Sequence, residues 1–438
     1  MNGVCSLLRA PAFGLANAGA QTVLKPMTNS LSSALPERRP SLALLVAVSS
    51  VSPLALNIYL PSLPVLVDVF DTTAAMVQLS LSLYLAAIAI AQIGIGPLSD
   101  RYGRRPVLLW GLGFFLIGSL TCAAATSIEV MLTGRMLQAA GGCAGIVLGR
   151  AIVRDLFDRR QSASMIGYVT MGMAVAPMIG PAIGGVLDET FGWRSSSYLM
   201  IALGALVLAW AWAELHETHH TRASGGGMRG LVRSYAALSR SRLFWAYTLT
   251  SAFTSAVFFS FLGGAPFLAA RLFDMSPSAY GLYFIMVAAG YMVGNGISGR
   301  FSERLGISRM ILGGNCVLVC AVSAIAAFFA LGFVHPLALF APMFVVGVGN
   351  GMSLPNAIAG SVSVRPDLAG AASGLTGSLQ IGAGAIASAL AGWLLSGVLW
   401  PGTVWALVLV MALSCVGAVT FGTIARRLER GAEEAWTG

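Results

Sequence analysis

The sequence predicts an all-α integral membrane protein of twelve transmembrane helices, arranged as two six-helix bundles in parallel pseudo-repeat. Three observations predict it: an apolar composition, a succession of apolar runs each long enough to cross a bilayer, and a charged loop motif that occurs twice. Of the 438 residues, 57% are hydrophobic and 10% are charged, whereas a soluble domain carries about 25% charged residues. That composition excludes a soluble globular domain. It also excludes a disordered chain, which requires low hydrophobicity and high net charge.

A spanning helix takes about 20 residues. Apolar runs bounded by charge, proline or glycine cover 41–66, 75–97, 106–126, 129–153, 162–187, 195–214, 243–270, 278–299, 307–330, 335–362, 370–396 and 401–425. The runs are continuous rather than alternating, which predicts helices and not barrel strands. Positive charge near span ends favours the cytoplasmic side. With both termini cytoplasmic, all 26 Lys and Arg fall inside except Arg194 and Arg271, which are outside, and Arg135, which lies within the fourth run. The outer loops carry Asp68, Asp71, Glu129, Asp188, Glu189 and Asp274. Membrane topology thus accounts for the basic balance, and no nucleic-acid partner is expected. Cys122, Cys143, Cys316, Cys320 and Cys415 sit in apolar runs and Cys5 near the N-terminus, so neither a disulfide framework nor a metal cluster is read.

The organisation follows from the gaps. Residues 1–40 read as a disordered tail or an over-extended start with Met27 as the true one, 41–214 as the first bundle and 215–242 as a cytoplasmic linker. Residues 243–427 read as the second bundle and 428–438 as a cytoplasmic tail. After the second run stands GPLSDRYGRR, with Gly96, Ser99, Asp100, Arg101 and Gly103. These recur at one constant offset after the eighth run as Gly299, Ser302, Glu303, Arg304 and Gly306. Parallel repeats of this kind place a substrate site between bundles that rock about it.

The loop GPLSDRYGRR resembles the signature between spans two and three of the major facilitator superfamily. Gly134-Arg135-Met-Leu-Gln138-Ala-Ala-Gly141 in span four resembles its second motif. Gly172-Met-Ala-Val-Ala-Pro177-Met-Ile-Gly180-Pro181-Ala-Ile-Gly184-Gly185 in span five resembles the motif of drug:proton antiporters. With Asn57-Ile-Tyr59-Leu60-Pro61 in span one and Gly149-Arg150-Ala-Ile-Val-Arg154-Asp155 closing span four, the chain is most similar to the Bcr/CflA branch of multidrug efflux proteins. The resemblance covers residues 41–425. It implies a transporter, not an enzyme, in the cytoplasmic (inner) membrane. No cofactor is implied, the proton gradient being the energy source. The partners are the lipid bilayer and lipophilic small molecules, the protein acting as a monomer that exports them by alternating access.

Within that frame the residues take expected roles. Gly96, Asp100, Arg101, Gly103, Arg104 and Arg105, with Arg150 and Asp155 nearby and Glu303 and Arg304 in the repeat, form a cytoplasmic latch of acid–base pairs that closes the inward mouth. Arg135 is the one charge well inside a span, and such residues face the bundle interior and mark function. The resemblance implies that it handles protons. The branch usually has Asp where this chain has Asn57, and an amide does not bind and release protons in the physiological range. The proton-coupling group is therefore sought at Glu129, on the helix of Arg135, and at Asp68. Gly172, Pro177, Gly180, Pro181, Gly184 and Gly185 make span five a conformational hinge. Asn57, Tyr59, Gln138, Phe253, Phe258, Phe261, Tyr283 and Gln380 are the expected substrate-cavity wall, aromatic and sparsely charged as suits lipophilic compounds.

Two alternatives stay open. One is a metabolite transporter or uncoupled facilitator on the same fold, since fold does not fix substrate. The other is a membrane zinc metalloprotease, because His216-Glu217-Thr-His219-His220 satisfies H-E-x-x-H, a zinc site with Glu217 as general base.

Overall fold

A computed structural model of the chain describes residues 40–157, 159–218, 227–395 and 403–437. The expected N-terminal tail and part of the linker therefore lie outside the described residues. What is described is helical: α1 (Leu42–Ile58), α2 (Leu63–Val69), α3 (Ala74–Tyr102), α4 (Arg104–Ala123), α5 (Ile128–Leu156), α6 (Arg159–Phe191), α7 (Arg194–Glu214), α8 (Gly227–Ser239), α9 (Arg242–Phe273), α10 (Pro277–Leu305), α11 (Ile307–Ala330), α12 (Pro336–Ser363), α13 (Ala369–Trp393) and α14 (Val404–Thr437). Eleven helices are long and apolar enough to cross a membrane, and α1 with α2, bent by 60° at a short break, makes a twelfth span. The break falls at Tyr59–Ser62, where Pro61 precedes Ser62 and Pro64 occupies the first turn of α2. Proline removes a helical donor and clashes with the preceding turn.

Helix starts obey local chemistry. Ser41, Thr73, Ser241 and Ser276 cap α1, α3, α9 and α10 by accepting from the backbone N–H of Leu44, Met76, Phe244 and Ala279. The repeated loop motif turns sharply because its last shared glycine takes a positive φ in both copies, +100° at Gly103 and +83° at Gly306. Residues with a Cβ are strained there.

The contacts fall into two sets. In the first half α4 packs on α5 and α7, α5 on α3 and α1, and α1 on α6; in the second α10 packs on α12, α12 on α11, and α9 on α13 and α14. Across the halves α3 lies along α13 and α6 along α10. Large apolar side chains such as Ile90, Trp212, Leu282, Ile386 and Val416 point outward. On a soluble monomer so broad an apolar exterior would aggregate, and it fits a lipid surround. One end of the assembly carries Arg101, Arg104, Arg105, Arg150 and Arg154; the opposite end carries Asp68, Glu129, Asp188, Glu189 and Asp274.

Candidate functional site

Arg135 is at the centre of the first half, 1% exposed on α5. Its Nη1 donates to the carbonyl of Ala55 on α1 at 2.8 Å and to Oε1 of Gln138 one turn on at 2.7 Å. The guanidinium carbon stands 4.1 Å from the ring centre of Tyr84 and 4.6 Å from that of Tyr59. A cation over ring faces gains most when desolvated, about 2 kcal/mol or more. Both rings are pinned: the Tyr84 hydroxyl donates to the carbonyl of Ser52 at 3.0 Å, and the Tyr59 hydroxyl meets Ser197 Oγ at 2.6 Å. Gln138 donates onward from Nε2 to Ser119 Oγ at 2.9 Å. Five helices therefore contribute to one charged knot. Its Nε is buried without a hydrogen-bond partner. The second half holds a neutral counterpart: Asn315 on α11 accepts from Ser353 and Thr254 and donates to the carbonyl of Ala418.

At the arginine-rich end, Arg104 bridges Asp100 at 2.6 Å and Asp155 at 2.9 Å, and donates to Ser99 Oγ at 2.5 Å. Asp155 thus pairs with Arg104; Arg150, its expected neighbour, instead donates to the carbonyl of Ile146. The first two N–H groups of α4, those of Arg104 and Arg105, donate to the carboxylate of Glu217 at 2.8 and 3.3 Å. Gly103 is required beneath it, because a Cβ there would stand 2.3 Å from Glu217 Oε2. Helix N-termini leave such N–H groups without intrahelical partners, and a carboxylate also suits the positive end of the helix dipole. Glu217 is the acid of the H-E-x-x-H match. It is engaged as a helix cap, and no group of His, Cys, Asp or Glu able to hold a metal occurs among the described residues. Glu303 and Arg304 depart from expectation: both are exposed, and neither makes an ion pair among the described residues. In the second half Glu429 on α14 accepts from Ser308 at the start of α11 and from Tyr247.

Between the halves the polar contacts are few: backbone against glycine, two amides and one carboxylate. Gln78 on α3 donates to the carbonyl and hydroxyl of Ser388 on α13 at 3.0 and 2.7 Å. Gln92 donates to the carbonyl of Gly374 at 3.3 Å. A Cβ at Gly185 would stand 2.3 Å from the carbonyl of Pro277, and one at Gly281 2.4 Å from that of Pro181. Glu189, at the end of α6, accepts from the N–H of Ser278 in the first turn of α10 at 3.0 Å.

The chain matches the profile of the Major Facilitator Superfamily over residues 45–387 and 270–436. The chain belongs to the major facilitator superfamily. It is 33% identical over 374 residues to the chloramphenicol resistance protein of Pseudomonas aeruginosa, covering 84% of this chain and 88% of that one. It is 28% identical over 350 residues to multidrug resistance protein D of Escherichia coli K12, covering 79% and 87%. These relatives support the resemblance to the drug-efflux branch. The fold matches a crystal structure of a D-xylose-proton symporter with a TM-score of 0.71 at 14% identity, over 87% of this chain and 97% of that one. A superfamily member is a multi-span membrane transporter and not an enzyme, so the metalloprotease reading is set aside.

As a facilitator-family transporter the chain corrects several expected sites. Glu129 is exposed in the first turn of α5 and makes no contact with Arg135, so the expected pair is not formed. Asp68 is exposed at the acidic end, where with Val67, Phe267 and Arg271 it lines a cavity of about 260 Å³ whose wall does not include Arg135. Gln138 and Tyr59 serve the Arg135 knot rather than a cavity wall. Asn57 is buried and donates to the carbonyl of Pro53 at 2.8 Å, its Oδ1 unpartnered. Phe253 stacks on Phe421 of α14, and Phe261 is buried among Phe284 and Phe340. Phe258, Tyr283 and Gln380 are half-buried, Phe258 against Phe259 and Phe284 and Tyr283 against Phe340. In α6 the helix runs unbroken through Pro177 and Pro181. Gly172, Gly180 and Gly184 admit Val46, Asn57 and Ile58 of α1 closely, and Gly185 admits α10. Gly96 has open space where a Cβ would stand, while its carbonyl accepts from Ser99 Oγ. Gln78, Gln92 and Tyr84 escaped the sequence reading, which has Glu189 only as an outer-loop acid and Glu217 only as the general base of a zinc motif. Polar amides inside an apolar run were the available signal for Gln78 and Gln92; the partners of the two glutamates are remote in sequence and left none.

Proposed function

We propose that this transporter exports hydrophobic or amphiphilic compounds across the cytoplasmic membrane in exchange for protons, by alternating access between the halves 41–214 and 243–427, with the arginine-rich end cytoplasmic. The observation that carries the reading is the boundary between the halves. Its polar contacts are few, glycine-to-backbone approaches, the Gln78 and Gln92 amides and the Glu189–Ser278 bond, with the charged and neutral knots wholly inside their own halves. A boundary so sparse in polar contacts parts while both knots stay intact, as rocking bundles require. The relatives' names, which refer to drug resistance, support a drug-like substrate, and Phe258 and Tyr283 offer aromatic surface for it. The network around Arg104, joining α3, α4 and α5 with Glu217, acts as the latch that holds the cytoplasmic ends of the first half.

The test is compound-driven proton movement in inverted membrane vesicles, comparing the wild type with Arg135→Ala across neutral antibiotics and lipophilic cations. Proton release on adding a compound, lost in the variant while its membrane insertion is retained, is the expected result. Asn57 favours a second reading, an uncoupled facilitator, because its amide replaces the first-span carboxylate of the branch and cannot carry a proton. Compound transport with no proton movement would establish that reading instead.

A further inference from the structure

The two faces of the linker helix α8 meet different surroundings. Leu238 is buried against Phe244 of α9 and Ala372 of α13, with Tyr235 packed beside them. The Tyr235 hydroxyl lies 3.7 Å from where a Cβ of Gly374 on α13 would stand. On the opposite face Val232, Arg233 and Arg240 are exposed, and Arg242 is exposed where α9 begins. Arg233 and Arg240 are seven residues apart, two turns along one face. None of these three arginines makes an ion pair among the described residues. The chain has no Asp or Glu between Glu217 and Asp274 to balance them.

The depth of α8 follows from what it packs on. Phe244 and Ala372 lie in the first turns of two spans. The span α9 has 32 residues, about 48 Å at 1.5 Å per residue, whereas a hydrocarbon core is about 30 Å thick. Its first turn therefore stands among headgroups, and α8 lies alongside it. Trp245 in that turn is half-buried and donates from Nε1 to the carbonyl of Ser239 at 2.9 Å. Tryptophan is enriched at this depth. An exposed valine beside guanidinium groups suits an interface in which acyl chains begin beneath the phosphates.

We infer that the outward face of α8 is a binding site for the headgroups of anionic lipids, with Arg233 and Arg240 as its charged contacts, Arg242 beside them and Val232 against the acyl chains. Guanidinium groups bind phosphate oxygens through paired N–H donors, and a basic interfacial helix is attracted to an anionic leaflet. The site joins the linker between the halves to the bilayer. It depends on neither the exported compound nor the rocking of the halves, so its failure would leave the export reading untouched.

The test is native mass spectrometry of the full chain in detergent, titrated with phosphatidylglycerol or with phosphatidylcholine, whose headgroup carries a phosphate but no net charge. Wild type is expected to hold phosphatidylglycerol the more tightly, and less so as ionic strength rises. Arg233→Gln and Arg240→Gln are each expected to weaken that binding about fivefold, the effect of one basic residue at an anionic surface. Arg300→Gln removes a charge from another exposed position at the arginine-rich end and is expected to leave the binding unchanged. Equal melting temperatures in lipid-free detergent check that the variants are folded. If either Gln variant does not accumulate, Arg242→Gln, on the neighbouring turn, supplies the same readout with the same sign. Equal affinity for the two lipids, or losses in the Arg233 and Arg240 variants no larger than in Arg300→Gln, overturns the inference. Displacement of the lipid by an equal concentration of glycerol phosphate would assign the face to free phosphate instead. Tighter binding of a short RNA with the same dependence on Arg233 and Arg240 would assign it to nucleic acid, and either result overturns the lipid site.

Discussion

Arg135 and Glu217 illustrate how a single charged side chain is stabilised in apolar surroundings. A buried guanidinium is costly unless its donors and its field are met. Here two tyrosine faces meet the charge and a carbonyl and an amide take Nη1, with no carboxylate, while Nε is left without a partner. Glu217 solves the reverse problem, bringing an anion to two N–H groups that the helix cannot satisfy. Glu217→Ala is expected to lower stability by about 1 kcal/mol, the usual worth of a helix cap. Thermal unfolding of purified protein in detergent measures it, and Glu217→Gln should recover part of the loss. A metal-binding role for Glu217 would instead require that chelation lower the melting temperature of the wild type.

At the scale of elements, close backbone approach governs the first half. On α5, a Cβ at Gly145 would stand 1.9 Å from the carbonyl of Val48 on α1, and one at Gly141 2.4 Å from that of Gly111 on α4. Small residues of this kind let membrane helices touch through their backbones, where packing rather than water exclusion drives association. Gly113, one face away on α4, has open space around a would-be Cβ. Gly145→Ala is therefore expected to abolish accumulation of folded protein, and Gly113→Ala to leave it unchanged, as read by fluorescence-detected size-exclusion chromatography. α6 runs on through two prolines, and its glycines seat α1 and α10 against it.

For the whole molecule, the contacts between α3 and α13 occur at two levels, through Gln78 near the acidic end and Gln92 nearer the arginine-rich end. The two glutamines are about four turns apart and so lie on one face of the helix. A thiol cross-linker joining cysteines at Gln92 and Gly377, whose Cβ would stand 2.4 Å from Gln92 Nε2, is expected to stop transport reversibly. A cleavable reagent checks this: transport should return when the linker is cut. Persistent transport in the cross-linked protein would show that this part of the boundary does not move during turnover.

The spans, the doubled loop motif, the glycines that turn it and the exceptional position of Arg135 were all legible in the chain, because each rests on something local: run length, spacing, a φ that disfavours a Cβ, or a charge in an apolar run. The motifs carried the family by resemblance. Of what surrounds Arg135, Gln138 was legible as a partner one turn away on the same helix, whereas Tyr59, Tyr84 and Ala55 come from elsewhere in the bundle and aromatic residues in apolar runs look alike wherever they face. Glu217 matched a zinc motif and proved to cap a helix more than a hundred residues upstream. Glu129 shared a helix with Arg135, yet lies at the surface. The faces that helices turn to one another are decided by packing across the whole bundle, and only the tertiary structure could place Glu189 on the end of α10 or seat Gln78 against Ser388.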